Sequence, residues 1–219
     1  VLSANKEELV GEVRLIFQPA EEGCRGAKSI VAAGWLDGVD CFFSGHIGFR
    51  CTNLWELALT EGFYASSKIN VTYIGKAAHA GANPEEGRNA LLAAASASLQ
   101  LHGIPRHQKG ITRINVGRLE AGCGRNVIPD KAYMEIETRG QNEEINRYIE
   151  SEAIRIIECA ARAYDLKCIY EIVGQSSDYH YQNNAAAVTE LVRLTVERFD
   201  KRIKFFPLMR FDASEDVVY

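Results

Sequence analysis

The chain has 219 residues, of which 47% are hydrophobic and 25% charged, a balance that excludes a disordered or fibrous protein. A formal net charge of -4 and an isoelectric point near 5.8 give no reason to expect a nucleic-acid partner. No apolar run approaches the roughly 20 residues that span a bilayer, and neither end carries a secretory signal, so we expect a cytoplasmic protein without a membrane partner. The six cysteines are scattered, which favours reduced thiols over a disulfide framework.

The first 64 residues alternate between helix-like and strand-like segments. Residues 5–12 favour a helix, and residues 12–18 favour a buried strand. A second helix is predicted over 24–34, followed by another buried strand over 39–44. This order is typical of an α/β sheet, in which functional residues follow the carboxyl ends of the strands.

From about residue 65 the apolar residues alternate strictly, which indicates strands with one solvated face. The predicted order is strand, helix, strand, strand, helix and strand, over residues 68–74, 85–102, 111–119, 131–139, 142–164 and 167–173. The second of these helices carries its apolar residues on one stripe. Together the six elements form a ferredoxin-like split motif.

Residues 185–199 then favour a helix and residues 203–208 a short strand, which we interpret as a return to the first unit. We therefore predict an α/β fold in which a ferredoxin-like domain is inserted into a first domain. The inserted domain would span 65–175, and the incomplete first domain would span 1–64 and 176–219. The chain lacks an initiator Met and both ends interrupt a helical pattern, so we expect a piece of a longer protein.

Two adjacent carboxylates, Glu21 and Glu22, follow the first predicted strand. Adjacent acids repel each other, so their position favours a positive partner, and a metal with one Glu as ligand and the other as proton shuttle would supply it. For a Glu-Glu pair alone, the alternative is an exposed turn. His46 follows the next predicted strand, and from the residue alone a core histidine would be the favoured interpretation.

Four motifs, in this order and spacing, resemble the M20 metallopeptidase and amidohydrolase family. They are FQPAEEG at 17–23, Gly45-His46 after the next strand, AHAG at 78–81 and GRNVIP at 124–129. Within this family the chain is similar to the aminobenzoyl-glutamate hydrolase branch, through PEEGRNALLAAA at 84–95 and ETRG at 137–140. The resemblance covers nearly the whole chain, although each motif alone is a weak signal. It implies that 1–64 and 176–219 belong to an incomplete zinc-peptidase-like catalytic domain and that 65–175 form its lid or dimerisation domain.

The resemblance implies a role for each residue of the acidic motif. Glu21 matches the general base of the family, and Glu22 matches its metal-ligating carboxylate. His46 matches a second metal ligand. A metal-bound water needs a nearby carboxylate to accept its proton and to pass that proton to the leaving amine.

Three residues of the predicted lid match family positions that act on the substrate. His79 would reach across a dimer to the active site of the partner and polarise the scissile carbonyl; a surface turn is its alternative. Asn126 and Arg139 would hold the carboxylate of the substrate, for which an amide beside a guanidinium is suited. The alternative for Arg139 is a sheet-edge charge paired with Glu137 or Glu135.

The resemblance also implies a cofactor, a substrate and a partner. The cofactor would be a divalent metal, zinc or manganese, with cobalt also compatible. The substrate would be a small N-acyl or aminobenzoyl amide of an amino acid, and the protein would form a homodimer through the lid or a heteromer with a related subunit. Two alternatives stay open. The chain could be a non-catalytic dimerisation or binding module, or an exopeptidase or deacetylase that prefers a different substrate.

The chain departs from the family pattern in its metal ligands. The upstream Cys or His pair followed by Asp, and the final histidine, are missing from the 219 residues. Zinc sites use three or four protein ligands. We therefore expect the isolated chain to bind metal poorly and to be inactive.

Overall fold

The computed structural model describes residues 2–21, 26–48, 51–178 and 185–214. Its strands are β1 (Glu56–Glu61), β2 (Ala65–Ile74), β3 (Ala78–His79), β4 (Thr112–Ala121), β5 (Val127–Ile128), β6 (Lys131–Gly140), β7 (Lys167–Ser176) and β8 (Lys204–Arg210). Its α-helices are α1 (Gly26–Ala32), α2 (Ala90–His102), α3 (Glu143–Ala163) and α4 (Ala185–Phe199). Two 3-10 helices lie at Leu2–Glu8 and Pro84–Glu86.

The largest sheet has four strands in the order β4-β6-β2-β7, and every neighbouring pair is antiparallel. Along the chain these strands alternate with helices as β2-α2-β4-β6-α3-β7. That connectivity is the ferredoxin-like split motif. The predicted α/β class with an inserted ferredoxin-like unit is thereby confirmed.

One face of this sheet forms the core together with α2 and α3. Alternate residues of β6, namely Ala132, Met134 and Ile136, are buried against the helices. Successive strand residues point to opposite faces, so the residues between them lie on the open face. The apolar stripe predicted on α3 is buried as expected, through Ile145, Ile149, Ala153, Ile156, Ile157 and Ala160.

Helix α2 begins five residues later than the sequence pattern predicts. Asn89 caps it by accepting a hydrogen bond from the amide of Leu92 at 3.1 Å, and this cap fixes the first turn. Pro84–Glu86 form a separate 3-10 turn that ends at Gly87. The predicted helix over 85–102 was therefore wrong at its start and right at its end.

A second, two-stranded sheet pairs β1 with β8 in parallel. Strand β1 was not predicted, whereas the strand predicted over 203–208 corresponds to β8. Residues 62–64 lead from β1 into β2 and run beside residues 211–213, which follow β8; we call these two segments the connecting segments. Tyr64 donates its amide to the carbonyl of Ala213 at 2.8 Å, and the amide of Asp212 donates to the carbonyl of Gly62 at 3.2 Å.

The buried strands predicted over 12–18 and 39–44 are absent from the described structure. Both segments are extended but form no ladder, and Phe17 is 92% exposed while Phe42 and Phe43 are also exposed. The two segments line a cavity of about 1000 Å³. A parallel strand forms only beside a hydrogen-bonding neighbour, and the described residues place none along these segments.

Three further sequence predictions concern the first helix, the cysteines and membrane-spanning segments. The helix expected over 5–12 is a 3-10 helix at Leu2–Glu8. Cys41, Cys51, Cys123, Cys159 and Cys168 carry free thiols, as expected. Within the described ranges, no helix combines the length and the apolar character needed to cross a membrane.

Candidate active site

Glu21 is the last described residue before α1. It is half-buried and follows Ala20, whose φ of 55° is unusual for a residue with a side chain. The segment before Glu21 is held close to the helix by Gly26, since a Cβ there would lie 1.8 Å from the carbonyl oxygen of Pro19. Glu22, the predicted metal-ligating carboxylate, lies outside the described residues.

His46 is exposed, and its ring is oriented by two contacts. Its Nδ1 lies 3.1 Å from the carbonyl oxygen of Ile47. Its ring meets the ring of Phe211 edge-on, with 5.4 Å between the centroids. A proton on Nδ1, donated to the Ile47 carbonyl, places the imidazole lone pair on Nε2, which is the arrangement a metal ligand uses.

The segments that precede Glu21 and His46 line the same cavity. Gln18 and Gly45 both border this cavity of about 1000 Å³, and each is followed closely by one of the two predicted residues. Within the described part of the chain, no group of three or more His, Cys, Asp and Glu side chains is arranged to hold a metal.

Arg139 lies at the end of β6 nearest the connecting segments. Its Nε and Nη2 donate to the two carboxylate oxygens of Glu137, each at 3.0 Å. The pairing with Glu137 that was the sequence alternative is thus present. This fork uses one edge of the guanidinium, and the Nη1 and Nη2 edge keeps the donors that a second carboxylate would need.

Arg139 and Glu137 line a cavity of about 200 Å³ with Tyr64, Arg113 and Asp212. Sequence reasoning missed Tyr64, Arg113 and Asp212. The alternation of apolar and polar residues along β4 could have indicated that Arg113 lies on the open face of the four-stranded sheet. The pairing of β4 with β6, which brings Arg113 opposite Arg139, has no local signal.

The connecting segments supply a polar wall to this cavity. Tyr64 donates its hydroxyl to Oδ1 of Asp212 at 3.3 Å, and Arg210 donates its Nε to the same oxygen at 2.9 Å. Burial and the Asp212 carboxylate raise the pKa of Tyr64, which therefore stays a neutral donor. Asp212, which lines the cavity with Arg139, directly follows Phe211, the residue against whose ring His46 packs.

His79 and Asn126 lie together at the other end of the lid. The short strands β3 and β5 pair so that His79 is opposite Val127, and the Ala80 amide donates to the Asn126 carbonyl at 2.9 Å. Nδ1 of His79 accepts from the amides of Gly81 at 3.2 Å and Ala82 at 3.0 Å. An accepting Nδ1 places the proton of the neutral ring on Nε2, so the exposed side of His79 is a hydrogen-bond donor.

Strand β6 separates Asn126 from Arg139. Ile128 precedes the strand, and Arg139 lies eight residues after its first residue, Lys131. At the usual rise of an antiparallel strand this is a distance of about 26 Å. A single chain therefore does not bring together Asn126 and Arg139, the two residues predicted to share one carboxylate.

Comparison with known proteins identifies one domain of the chain. Residues 64–165 match the M20 peptidase dimerisation domain. Over 215 residues the chain is 46% identical to a homolog of a p-aminobenzoyl-glutamate hydrolase subunit from Haemophilus influenzae, covering 98% of this chain and 50% of that protein. The chain therefore contains an M20 peptidase dimerisation domain.

Two further relatives match the chain over most of its length. The chain is 42% identical over 205 residues to the indole-3-acetyl-aspartic acid hydrolase of Enterobacter agglomerans, covering 90% of this chain and 47% of that protein. It superposes on an aminobenzoyl-glutamate utilization protein of Klebsiella pneumoniae with a TM-score of 0.84 and 39% identity, over 99% of this chain and 55% of the other. The chain spans about half the length of these relatives.

Proposed function

We propose that the whole protein is a metal-dependent amidohydrolase that cleaves the amide between an N-acyl or aminobenzoyl group and an amino acid. The observation that carries the proposal is the arrangement of Arg139. Its guanidinium is oriented by Glu137 and lines a cavity with Asp212, whose neighbour in the chain, Phe211, packs against the ring of His46. The relatives named for hydrolysis of aminobenzoyl-glutamate and indole-3-acetyl-aspartate support this class of reaction.

Glu22 and His46 would hold the metal. A carboxylate and an imidazole suit zinc, manganese and cobalt alike, and the contact between Nδ1 and Ile47 suits a histidine that binds through Nε2. Since zinc sites use three or four protein ligands, the others would come from outside the described residues. A bound metal would supply an acidified water and a polarised carbonyl.

Glu21 would act as the general base. Its carboxylate would accept a proton from the attacking water as oxygen bonds to the carbonyl carbon. It would then return that proton to the amide nitrogen as the carbon–nitrogen bond breaks, so that acid and amine leave without net proton release at this group. Arg139 would hold the carboxylate of the amino acid through its remaining guanidinium edge.

His79 and Asn126 would act on the substrate of a second subunit. They lie near the Lys131 end of β6, and Lys131 is itself about 26 Å from Arg139 along the strand, a separation that favours a site completed by another chain. The Nε2 proton of His79 would donate to the carbonyl oxygen as negative charge develops there, while the Asn126 amide offers a second donor. The partner would be a second copy or a related subunit.

The test is hydrolysis of p-aminobenzoyl-glutamate by the full-length protein, followed as release of p-aminobenzoate. We expect turnover that a chelator removes and that zinc or manganese restores. A panel of N-acetyl and indole-acetyl amino acids would define the acyl preference. Absence of hydrolysis across the panel after metal loading would refute the proposal.

A further inference from the structure

We propose that Arg113 binds a second carboxylate on the substrate, so that the substrate class is the amides of acidic amino acids. This inference rests on the proposed hydrolase function and specifies which amino acids that site accepts. It assigns Arg139 to the α-carboxylate and Arg113 to the side-chain carboxylate of the same molecule.

The first support is the register of β4 and β6. Arg113 lies directly opposite Arg139 in the antiparallel ladder. Directly opposed residues point to the same face, with Cβ atoms about 4.5–5.5 Å apart. Both arginines accordingly line the same cavity of about 200 Å³.

The second support is the charge balance of this cavity. Opposed like charges destabilise a sheet unless anions neutralise them. Glu137 is engaged by Arg139, and Asp212 by Arg210 and Tyr64. Among the described residues, no ion pair or hydrogen bond involves the guanidinium of Arg113, which is exposed toward the cavity.

The third support is the fit between two guanidinium groups and a dicarboxylate. Aspartate and glutamate carry their second carboxylate one or two methylenes from the α-carbon, a spacing that two neighbouring side chains on one sheet face can bridge. Each guanidinium offers a planar fork to one carboxylate. The two curated relatives described above are named for conjugates of glutamate and of aspartate, the two acidic amino acids.

The test compares p-aminobenzoyl-glutamate with p-aminobenzoyl-glutamine, whose side chain has the same shape without the charge. In the full-length protein we expect Arg113→Gln to lower kcat/KM for the glutamate conjugate by about 10- to 100-fold, mainly through KM, and to change the glutamine conjugate by less than about 3-fold. Arg139→Gln would lower both. Arg118→Gln is the matched control, because it lies on the same strand, away from the cavity, and pairs with Glu120 and Glu135.

The outcomes separate this inference from the proposed function. An unchanged ratio of the two conjugates in Arg113→Gln, or an equal loss on both, would overturn the role of Arg113 while leaving the hydrolase intact. If the wild-type protein hydrolyses neither conjugate, the proposed function fails. Titration calorimetry with L-glutamate and L-glutamine then decides: a preference for L-glutamate that Arg113→Gln removes supports the inference, and equal affinities overturn it.

Discussion

The imidazole ring of His46 packs edge-on against the ring of Phe211, with 5.4 Å between their centroids. Phe211 belongs to a connecting segment, and its neighbour Asp212 lines the cavity of Arg139. The proposed metal ligand and the proposed carboxylate-binding residue therefore each have a partner in the connecting segment 211–213.

Glu21→Gln should abolish most turnover without removing the metal. The amide keeps the size of the side chain but cannot accept the proton from water, so we expect kcat to fall about 10²- to 10⁴-fold. Rates and metal content would be measured together on the full-length protein. Glu7→Gln, at an exposed glutamate in the 3-10 helix Leu2–Glu8, is the control. A Glu21→Gln enzyme that hydrolyses the substrate at the wild-type rate would exclude the general-base role.

A mixture of two inactive variants should regain activity. If His79 acts in the active site of a second copy, a dimer of one His79→Ala chain and one Glu21→Gln chain contains one complete site and one doubly defective site. Random mixing makes half of the dimers mixed, so about a quarter of the wild-type activity should return. The measurement is turnover after co-refolding at equal amounts. No recovery would argue that His79 acts within its own chain or opposite a related subunit.

Gly140→Ala should destabilise the lid. A Cβ at Gly140 would lie 2.1 Å from the backbone nitrogen of Asn146 and 2.6 Å from its Cα, so strand or helix must shift. We expect a loss of about 1–3 kcal/mol in the free energy of unfolding, measured by urea denaturation followed by circular dichroism. Gly117→Ala is the control, because its nearest neighbour, Asn115, is 3.7 Å away. Equal denaturation midpoints for the two variants would contradict the close packing of β6 on α3.

Cys168 should react with iodoacetamide much more slowly than Cys123. Burial raises the pKa of the Cys168 thiol to about 11, with a smaller contribution from Glu158, whereas Cys123 is exposed. The thiolate is the reactive form, so at pH 8 only about one part in a thousand of Cys168 would be ionised, and labelling should increase as the pH approaches 11. Mass spectrometry of the labelled peptides gives both rates. Similar rates at pH 8 would show that Cys168 is not held in a protected environment.

The sequence predicts the lid well because its signals are local. Strict alternation marks β4 and β6, and the apolar stripe of α3 follows the helical period, so each element can be identified without its neighbours. The antiparallel order then follows from the split motif. The predicted domain boundaries at 64 and 175 stay predictions.

The first 64 residues are harder because their strands depend on distant partners. Strand β1 forms only by pairing with β8, more than a hundred residues away along the chain. The apolar runs at 12–18 and 39–44 have strand composition, but composition supplies no hydrogen-bonding neighbour. An apolar run therefore predicts the tendency to form a strand and not the ladder that completes it.

The sequence supplies candidate residues for the site, but it does not give their positions relative to one another. The motif resemblance named Glu21, His46, His79, Asn126 and Arg139, and their roles remain proposals. The separation of Asn126 from Arg139 by the length of β6, and the orientation of the His79 ring by two backbone amides, emerge only from the fold. Arg113 belongs to none of the motifs. It becomes a candidate only because the pairing of β4 with β6 places it opposite Arg139.

The most direct test of the central claim is the metal content of the full-length protein, measured by elemental analysis for wild type, Glu22→Ala and His46→Ala. His102→Ala, at an exposed histidine that ends α2, is the control. The account predicts stoichiometric metal in wild type and control, and loss of metal in both test variants with the fold intact by circular dichroism. Unchanged metal in both variants would contradict it and would leave a dimerisation or binding module as the better description of this chain.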